Sequence, residues 1–491
     1  MPFWSLVLVM GTSVLAVGQL VWDLWFMVPE PILSDPQPPA VIPQPVNGGF
    51  AGITTWRGNE TRTYYGEGPV PVAPVVRWRA PVDGSKMCSE SAEGRDPGAL
   101  KEWCGTGWTG QPNVVPAFRR MEVREGAYDG AYHFLDAGSG APLRPELATG
   151  DLAKGSATTD PDGYPLYYAG SRDNLLRIVA MDRAEPTVLW TLDAVSSVPR
   201  PLWNDDWDGA ALVVDGHLLV GGENGWFYVV RLNRGYDPRG QVTVSPEVVT
   251  AVPGFDDELL QQAGDEDVSI ESSVAVHDGV AYFANSGGLV QGWDVSDVLT
   301  GGDRVVKVFE FWTGDDTDAT IVIDEYGMLY VASEFQRFNE RARTVGQLMK
   351  LDPSSADPLV WSLPAMEIGF DGAGGSWSTP ALWGDFVYFT TAAGRVLGVD
   401  RRSGDIAWEM QIGSPAIGSP VVVDGTLIQG DCTGRLYAWD VSDMISTPQL
   451  RWSLDLGDCI ESTPAVWRGW IYVGTREGYL YGVADEGTPA P

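Results

Sequence analysis

Short apolar runs separated by Gly-, Asp- and Asn-rich turns recur along most of this chain. The stretch from Ala392 to Gly413 shows the unit most plainly. Val396, Gly398 and Asp400 alternate with Leu397 and Val399, the period-2 signal of a half-buried strand. Arg401 to Gly404 has turn chemistry, and a second strand carrying Trp408 follows it. The spacing Gly394…Asp400 returns as Gly130…Asp136, Gly288…Asp294, Gly346…Asp352 and Gly434…Asp440, each separated by six residues. Asn174…Asp182 and Gly225…Asn233 are copies two residues longer, and Gly478…Ala484 is a final copy whose Asp lies one position later, at Asp485.

Each copy has an upstream partner in which Ser, Thr or Pro leads into an apolar run and then another strand. Ser378-Thr379-Pro380-Ala381-Leu382 precedes Phe386-Val387-Tyr388-Phe389, and Ser462-Thr463-Pro464-Ala465-Val466 precedes Trp470-Ile471-Tyr472-Val473. A further strand carries a Trp at positions 190, 312, 361, 408 and 452. Four short strands per unit, repeated around an axis, make a β-propeller blade. The eighth unit runs out of chain before its Trp strand, and Val75-Val76-Arg77-Trp78-Arg79-Ala80 supplies what is missing from the other end of the domain. Such closure leaves no open sheet edge. The sequence therefore predicts an all-β protein, an eight-bladed propeller, with seven blades as the alternative if the first is irregular.

The run Gly398-Val399-Asp400-Arg401-Arg402-Ser403-Gly404-Asp405-Ile406-Ala407-Trp408 resembles the repeat of the PQQ-type β-propeller family. That family includes quinoprotein dehydrogenases and the propeller scaffold of outer-membrane β-barrel assembly. The resemblance covers residues from about 70 to 485. It implies that most of the 21 Trp are core residues packed between blades. It specifies the fold far more sharply than the function.

The first thirty residues differ from the rest. Phe3 to Trp22 contains no charged residue and, as a helix, would span about 30 Å, a bilayer core. Asp23 and the Trp25-Phe26 pair follow, and Pro29 to Pro45 holds seven Pro. The expected organisation is a transmembrane helix or signal anchor at 1–28, a Pro-rich linker at 29–68, the propeller at 69–486 and a tail at 487–491. Cleavage after the weak Ala16-Val17-Gly18 site would give a secreted protein instead.

A net charge of −34, from 66 acidic against 32 basic side chains, excludes nucleic acid as a partner and opposes adhesion to anionic lipid. The four Cys include no CxxC or CxxCH spacing and permit three pairings. Pairing by proximity joins Cys88 to Cys104 and Cys432 to Cys459, which fits an oxidising, periplasmic or extracellular compartment.

Register along the innermost strands places Lys154, Trp207, Asp208, Glu271, Asp318, Trp377 and Glu461 around the central channel. Lys154 reads either as a buried ion pair or as part of a ligand site. Acidic loops lead into three successive blades: Asp205, Asp206 and Asp208; Asp256 to Glu258 with Asp265 to Asp267; and Asp315, Asp316 and Asp318. They are expected on one face, either as a solvated rim or as ligands of Ca²⁺. An insertion at 334–345 carries Arg337, Arg341 and Arg343, a basic cluster that either pairs with those loops or captures a partner. His133, His217 and His277 are unrelated by spacing, and no nucleophile, zinc or phosphate motif appears.

These features predict a membrane-anchored, extracytoplasmic binding or scaffold module whose partner is a protein or a cell-envelope polymer. The resemblance implies one alternative, a PQQ-dependent dehydrogenase using Glu271, Glu461, Asp208, Asp318 and Lys154. A cell-wall glycan binder stacking sugars on Trp207 and Trp377 is another.

Overall fold

The computed structural model describes residues 51–491 apart from 94, 95, 109, 118 and 414. The apolar stretch Phe3 to Trp22 and the first part of the expected linker lie outside the described residues. Among the described residues, no helix is long and apolar enough to cross a membrane.

Seven four-stranded antiparallel sheets and one five-stranded sheet, the last blade, follow one another around the ring. The sixth shows the pattern, with Ala381–Trp383, Phe386–Thr390, Arg395–Asp400 and Ile406–Gln411. The first blade is regular, with Asn113–Ala117, Arg120–Ala127, Ala131–Asp136 and the short Leu147–Ala148, so the ring has eight blades. The last is closed from the N-terminal side: Pro74–Ala80 pairs antiparallel with Tyr479–Asp485 and sets Trp78 opposite Gly482.

The eight turn residues of the repeat all adopt the left-handed conformation, from Gly130 at φ 76° through Asn174 at 70° and Gly394 at 80° to Gly478 at 103°. A side chain with a Cβ is disfavoured there, which explains why the position is Gly in seven copies and Asn in the other. The conserved spacing to Asp also has a cause. Asp400 Oδ1 accepts backbone N–H bonds from Arg402 and Ser403 at 2.9 Å, so the carboxylate holds the next turn. The expectation of a half-buried strand needs correcting at the centre of the unit: Val396 to Val399 are all buried. A blade is covered by a neighbour on each face, so both faces of its middle strands leave water.

The Trp of the outermost strand joins blades. Trp408 lies over Gly398, where an added Cβ would come within 2.2 Å of the indole, and its Nε1 donates to Met444 O of the next blade at 3.0 Å. Trp361 donates likewise to Arg401 O, Trp452 to Pro71 O and Trp78 to Ala137 O, the last linking blade eight to blade one.

The largest departure from the expected organisation is at residues 53–67, assigned by sequence to the linker. They lie across one end of the central channel and touch the innermost strand of every blade or the loop leading into it. Ile53 bridges Val114 in blade one, Thr54 O accepts from Thr159 N in blade two, and Thr55 Oγ1 bonds Ala211 O in blade three. Glu60 O and Thr61 O accept from Val276 N and Ile323 N in blades four and five. Arg57 donates to Thr379 O and Pro380 O in blade six and to Pro420 O in blade seven, and Gly66–Glu67 runs parallel to Ala465–Trp467 in blade eight. Arg57 and Arg62 are fully buried, and each donates to several backbone carbonyls. The plugged end is the one bearing the turns Asp215–Gly216, Asp278–Gly279, Asp424–Gly425 and Arg468–Gly469. All four pairs have positive φ, as hairpin turns of this kind require.

Candidate functional site

The opposite end of the channel collects the acidic residues. Two loops, leading into blades three and five, share an Asp-x-Asp sequence: Asp206-Trp207-Asp208 and Asp316-Thr317-Asp318. In each blade the turn after the second strand returns a Glu to the same place. A backbone bond clamps the two segments together, from Glu223 N to Asp206 O at 3.0 Å and from Glu334 N to Asp316 O at 2.7 Å. The result is two buried triads related by the repeat, Asp206–Asp208–Glu223 and Asp316–Asp318–Glu334, whose ligand oxygens lie within 4.8 Å of one another. Oxygens about 2.4 Å from one shared ion would be separated by no more than that, so the size suits a hard divalent cation such as Ca²⁺.

The triads differ in what balances them. Lys154 enters the first, with Nζ 2.9 Å from Asp206 Oδ2, Asp208 Oδ2 and Glu223 Oε1. Burial works against its charge, but Asp206, Asp208 and Glu223 hold the ammonium well above the ordinary lysine range. One ammonium cannot balance three carboxylates: burial, followed by the charge of Glu223, pushes Asp206 up to about 7. In the second triad, Ser286 Oγ donates to Asp318 Oδ1 at 2.8 Å, and Arg337 approaches from outside, 3.9 Å from Asp316 Oδ2. Asp316 Oδ1 and Glu334 Oε1 have no hydrogen-bond donor among the described residues. Burial, reinforced by neighbouring carboxylates, raises Asp316, Asp318 and Glu334 well above the carboxylate range. Glu271 is raised too, by burial first, then by Asp318 and Glu223.

Lys154, Asp208, Glu271 and Asp318 lie close enough to act on one another's charge. Glu461 belongs to the same end but is taken up by Arg476 at 3.2 Å. Trp207 is not a channel residue: it is buried against Tyr228, ring centres 5.3 Å apart, and donates to Asn174 O. It therefore offers sugars no stacking face. Trp377 is half-buried. Of the six Asp expected to bind metal, Asp205 and Asp315 join neither triad. Asp315 is occupied by the backbone N–H groups of Asp316, Gln336 and Arg337. Asp256 caps the helix Asp257–Ala263 by accepting from Leu259 N, and Asp257 and Glu258 lie in its first turn, where the helix dipole favours them.

The arginine insertion pairs inward. Arg337 bridges Asp265 at 3.1 Å and Asp267 at 3.7 Å, Arg341 donates to Trp312 O, and Arg343 lies over Phe335. Arg337 is thereby engaged by the acidic loop, whereas Arg341 and Arg343 stay exposed. Both cysteine pairs are bonded, Cys88 to Cys104 and Cys432 to Cys459. Glu223 and Glu334 were not picked out from sequence. The signal was available in Gly222-Glu223-Asn224 and Ser333-Glu334, turns that the repeat places beside the Asp-x-Asp loops.

The cavity lined by Trp56, Glu271, Asp318 and Thr379 measures about 10 Å³, room for the centre of about one water.

Residues 392–489 match the family model described as outer membrane protein assembly factor BamB. A search of curated protein sequences finds no match. Among solved structures, quinohemoprotein alcohol dehydrogenase from Comamonas testosteroni is 12% identical, with a TM-score of 0.54, covering 90% of this chain and 82% of that one. A europium-containing methanol dehydrogenase is 12% identical, TM-score 0.53, covering 89% and 98%. The computationally designed Ika8 protein is 12% identical, TM-score 0.51, covering 80% and 98%. At such identities the likeness concerns the fold. It shows an eight-bladed β-propeller, whose residues 392–489 match the family model described as outer membrane protein assembly factor BamB.

Proposed function

We propose that this chain is an extracytoplasmic binding or scaffold propeller that holds a divalent cation, Ca²⁺ by the chemistry of its ligands, at Asp316, Asp318 and Glu334. The observation that carries the reading is the contrast between twin triads: one encloses the ammonium of Lys154, whereas in the other the nearest cation described, Arg337, stays 3.9 Å from Asp316 and buried carboxylate oxygens have no donor. Uncompensated buried carboxylates are costly, and a divalent ion at this site would remove that cost. Two disulfides support placement outside the cytoplasm. The carboxylate face is the surface offered to a protein or cell-envelope polymer.

Calorimetric titration of the chelator-treated protein with CaCl₂ tests the proposal. One ion per chain should bind, and the melting temperature should rise. At a free concentration about 100 times Kd, the stabilisation would be about 2.7 kcal/mol. Glu334→Gln should abolish both effects. Absence of heat and of any thermal shift with Ca²⁺, Mg²⁺ or Mn²⁺ would refute the metal reading and leave the scaffold reading to stand on partner binding alone.

A further inference from the structure

The Ser and Thr that lead into the innermost strands form a motif that the carboxylate triads do not use. From blade three to blade seven they stitch neighbouring blades together with one repeated bond. Ala210 N donates to Ser273 Oγ, Ser273 N to Thr320 Oγ1, Thr320 N to Thr379 Oγ1 and Thr379 N to Ser419 Oγ, each at 2.9 Å. All four hydroxyl residues are buried.

A hydroxyl that accepts the N–H of one blade still has its own proton to donate. Among the described residues, nothing accepts the hydroxyl proton of Ser273, Thr320, Thr379 or Ser419. Trp56 of the plug has the same need: it is 3% exposed, and its Nε1 has no acceptor among the described residues. These five residues line one small space, the cavity of about 10 Å³ at the carboxylate side of the plug. Glu271 and Asp318 line it with them and bring carboxyl oxygens, which accept. Buried donors left without a partner are costly, so the arrangement calls for an occupant.

We infer that this cavity is a site for one water molecule, a fixed part of the fold that joins the plug to blades four and five. The water accepts from Trp56 Nε1 and from the ring hydroxyls, and it donates to the carboxyl groups of Glu271 and Asp318. The volume selects a single small occupant, because a cavity of about 10–15 Å³ holds one water. The lining selects among such occupants. A halide suits the N–H and O–H donors but would face two carboxyl groups. An alkali cation suits the carboxyl groups but would face an indole N–H, which only donates. Water gives and accepts, as this lining demands, and needs two to four polar partners, which the lining provides.

A crystal structure of the whole chain, grown in EDTA at about 1.5 Å resolution, tests the site. One peak is expected there, within about 3.2 Å of Trp56 Nε1 and of a carboxyl oxygen of Glu271 or Asp318. A cavity without density would overturn the assignment. So would an anomalous peak at that point after a bromide soak, which would make it a halide site, or after a thallous soak, which would make it a cation site. A second measurement reads the site in solution, in protein carrying ¹⁵N-labelled tryptophan. The Trp56 indole resonance, identified by its loss in Trp56→Phe, should show a cross-relaxation peak to water while its own proton exchanges slowly. An indole proton without that peak would overturn the assignment as well. Glu334→Gln, which disables the proposed metal site, should leave both readouts unchanged, so the two proposals fail separately.

Discussion

Lys154 Nζ stands 2.9 Å from Asp208 Oδ2 and makes equal approaches to Asp206 and Glu223, occupying the centre of a carboxylate triad as an ion would. The triad of blade five has the same backbone clamp and the same three acids. Its flanking guanidinium, Arg337, stays outside. The repeat has therefore produced one site twice and filled one copy with a side chain.

Removing that side chain should be expensive. Lys154→Met leaves three buried carboxylates without their ammonium, a loss of the kind that costs about 3–5 kcal/mol. Urea denaturation in EDTA should show it as a lower midpoint with an unchanged slope. Calcium should partly rescue the variant, and its stoichiometry should rise from one ion per chain to two, one for each triad. A variant as stable as the parent would mean that the ammonium does not balance the cluster.

The same cluster sets a pH dependence with a definite sign. Burial and the charge of Glu223 push Asp206 up to about 7, and burial raises Glu223 as well. An acid whose pKa rises on folding binds its proton more tightly in the native state. Its contribution to stability is full below the unfolded value and is lost as pH rises through the folded one. The urea midpoint of the metal-free protein should therefore fall between about pH 4 and about pH 8. Asp206→Asn should flatten that fall. Carboxylates shifted the other way, such as Asp440 at about 2, where Ser442 caps it, act below this window. A midpoint that climbs from pH 5 to pH 8 would contradict the assignment.

The fold was legible because the repeat states its geometry directly. Gly394, Asp400 and Trp408 each answer a backbone or packing demand: a left-handed turn, a capped loop and a bond to the next blade. The site was half legible. Register along the innermost strands found Lys154, Asp208, Glu271 and Asp318, but the Glu of each triad arrives from a different turn. Only the backbone clamps, Glu223 to Asp206 and Glu334 to Asp316, bring those turns together. The plug was not legible at all. Its order depends on carbonyls presented by distant blades, and no local pattern around Arg57 or Arg62 encodes them.

Gly398→Ala tests the packing of the repeat unit. The added Cβ would stand 2.2 Å from Trp408 Cε2, and the indole is held by its bond to Met444 O. Overpacking of this kind typically costs about 1–3 kcal/mol. The loss should be relieved in Gly398→Ala, Trp408→Phe, where a smaller ring leaves room. A double variant no more stable than the sum of its two single variants would show that the clash lies elsewhere.

The plug offers the sharpest division within the fold. Arg57 donates to Thr379 O, Pro380 O and Pro420 O at 2.5 to 2.8 Å, in blades six and seven, whereas Arg62 donates to Val274 O and Ala210 O, in blades four and three. Burial pulls Arg57 down to about 10, still charged at neutral pH, so the carbonyls receive charge-assisted bonds. Arg57→Met should leave them without that donor and cost about 3 kcal/mol or more. Because each arginine serves a different pair of blades, the losses should be local as well as global. Hydrogen exchange should quicken first at Ala381–Trp383 and Val421–Val423 in Arg57→Met, and at Leu212–Val214 and Ala275–His277 in Arg62→Met. If both variants instead loosen all eight innermost strands alike, the ring opens as one cooperative unit and the plug acts only as a whole.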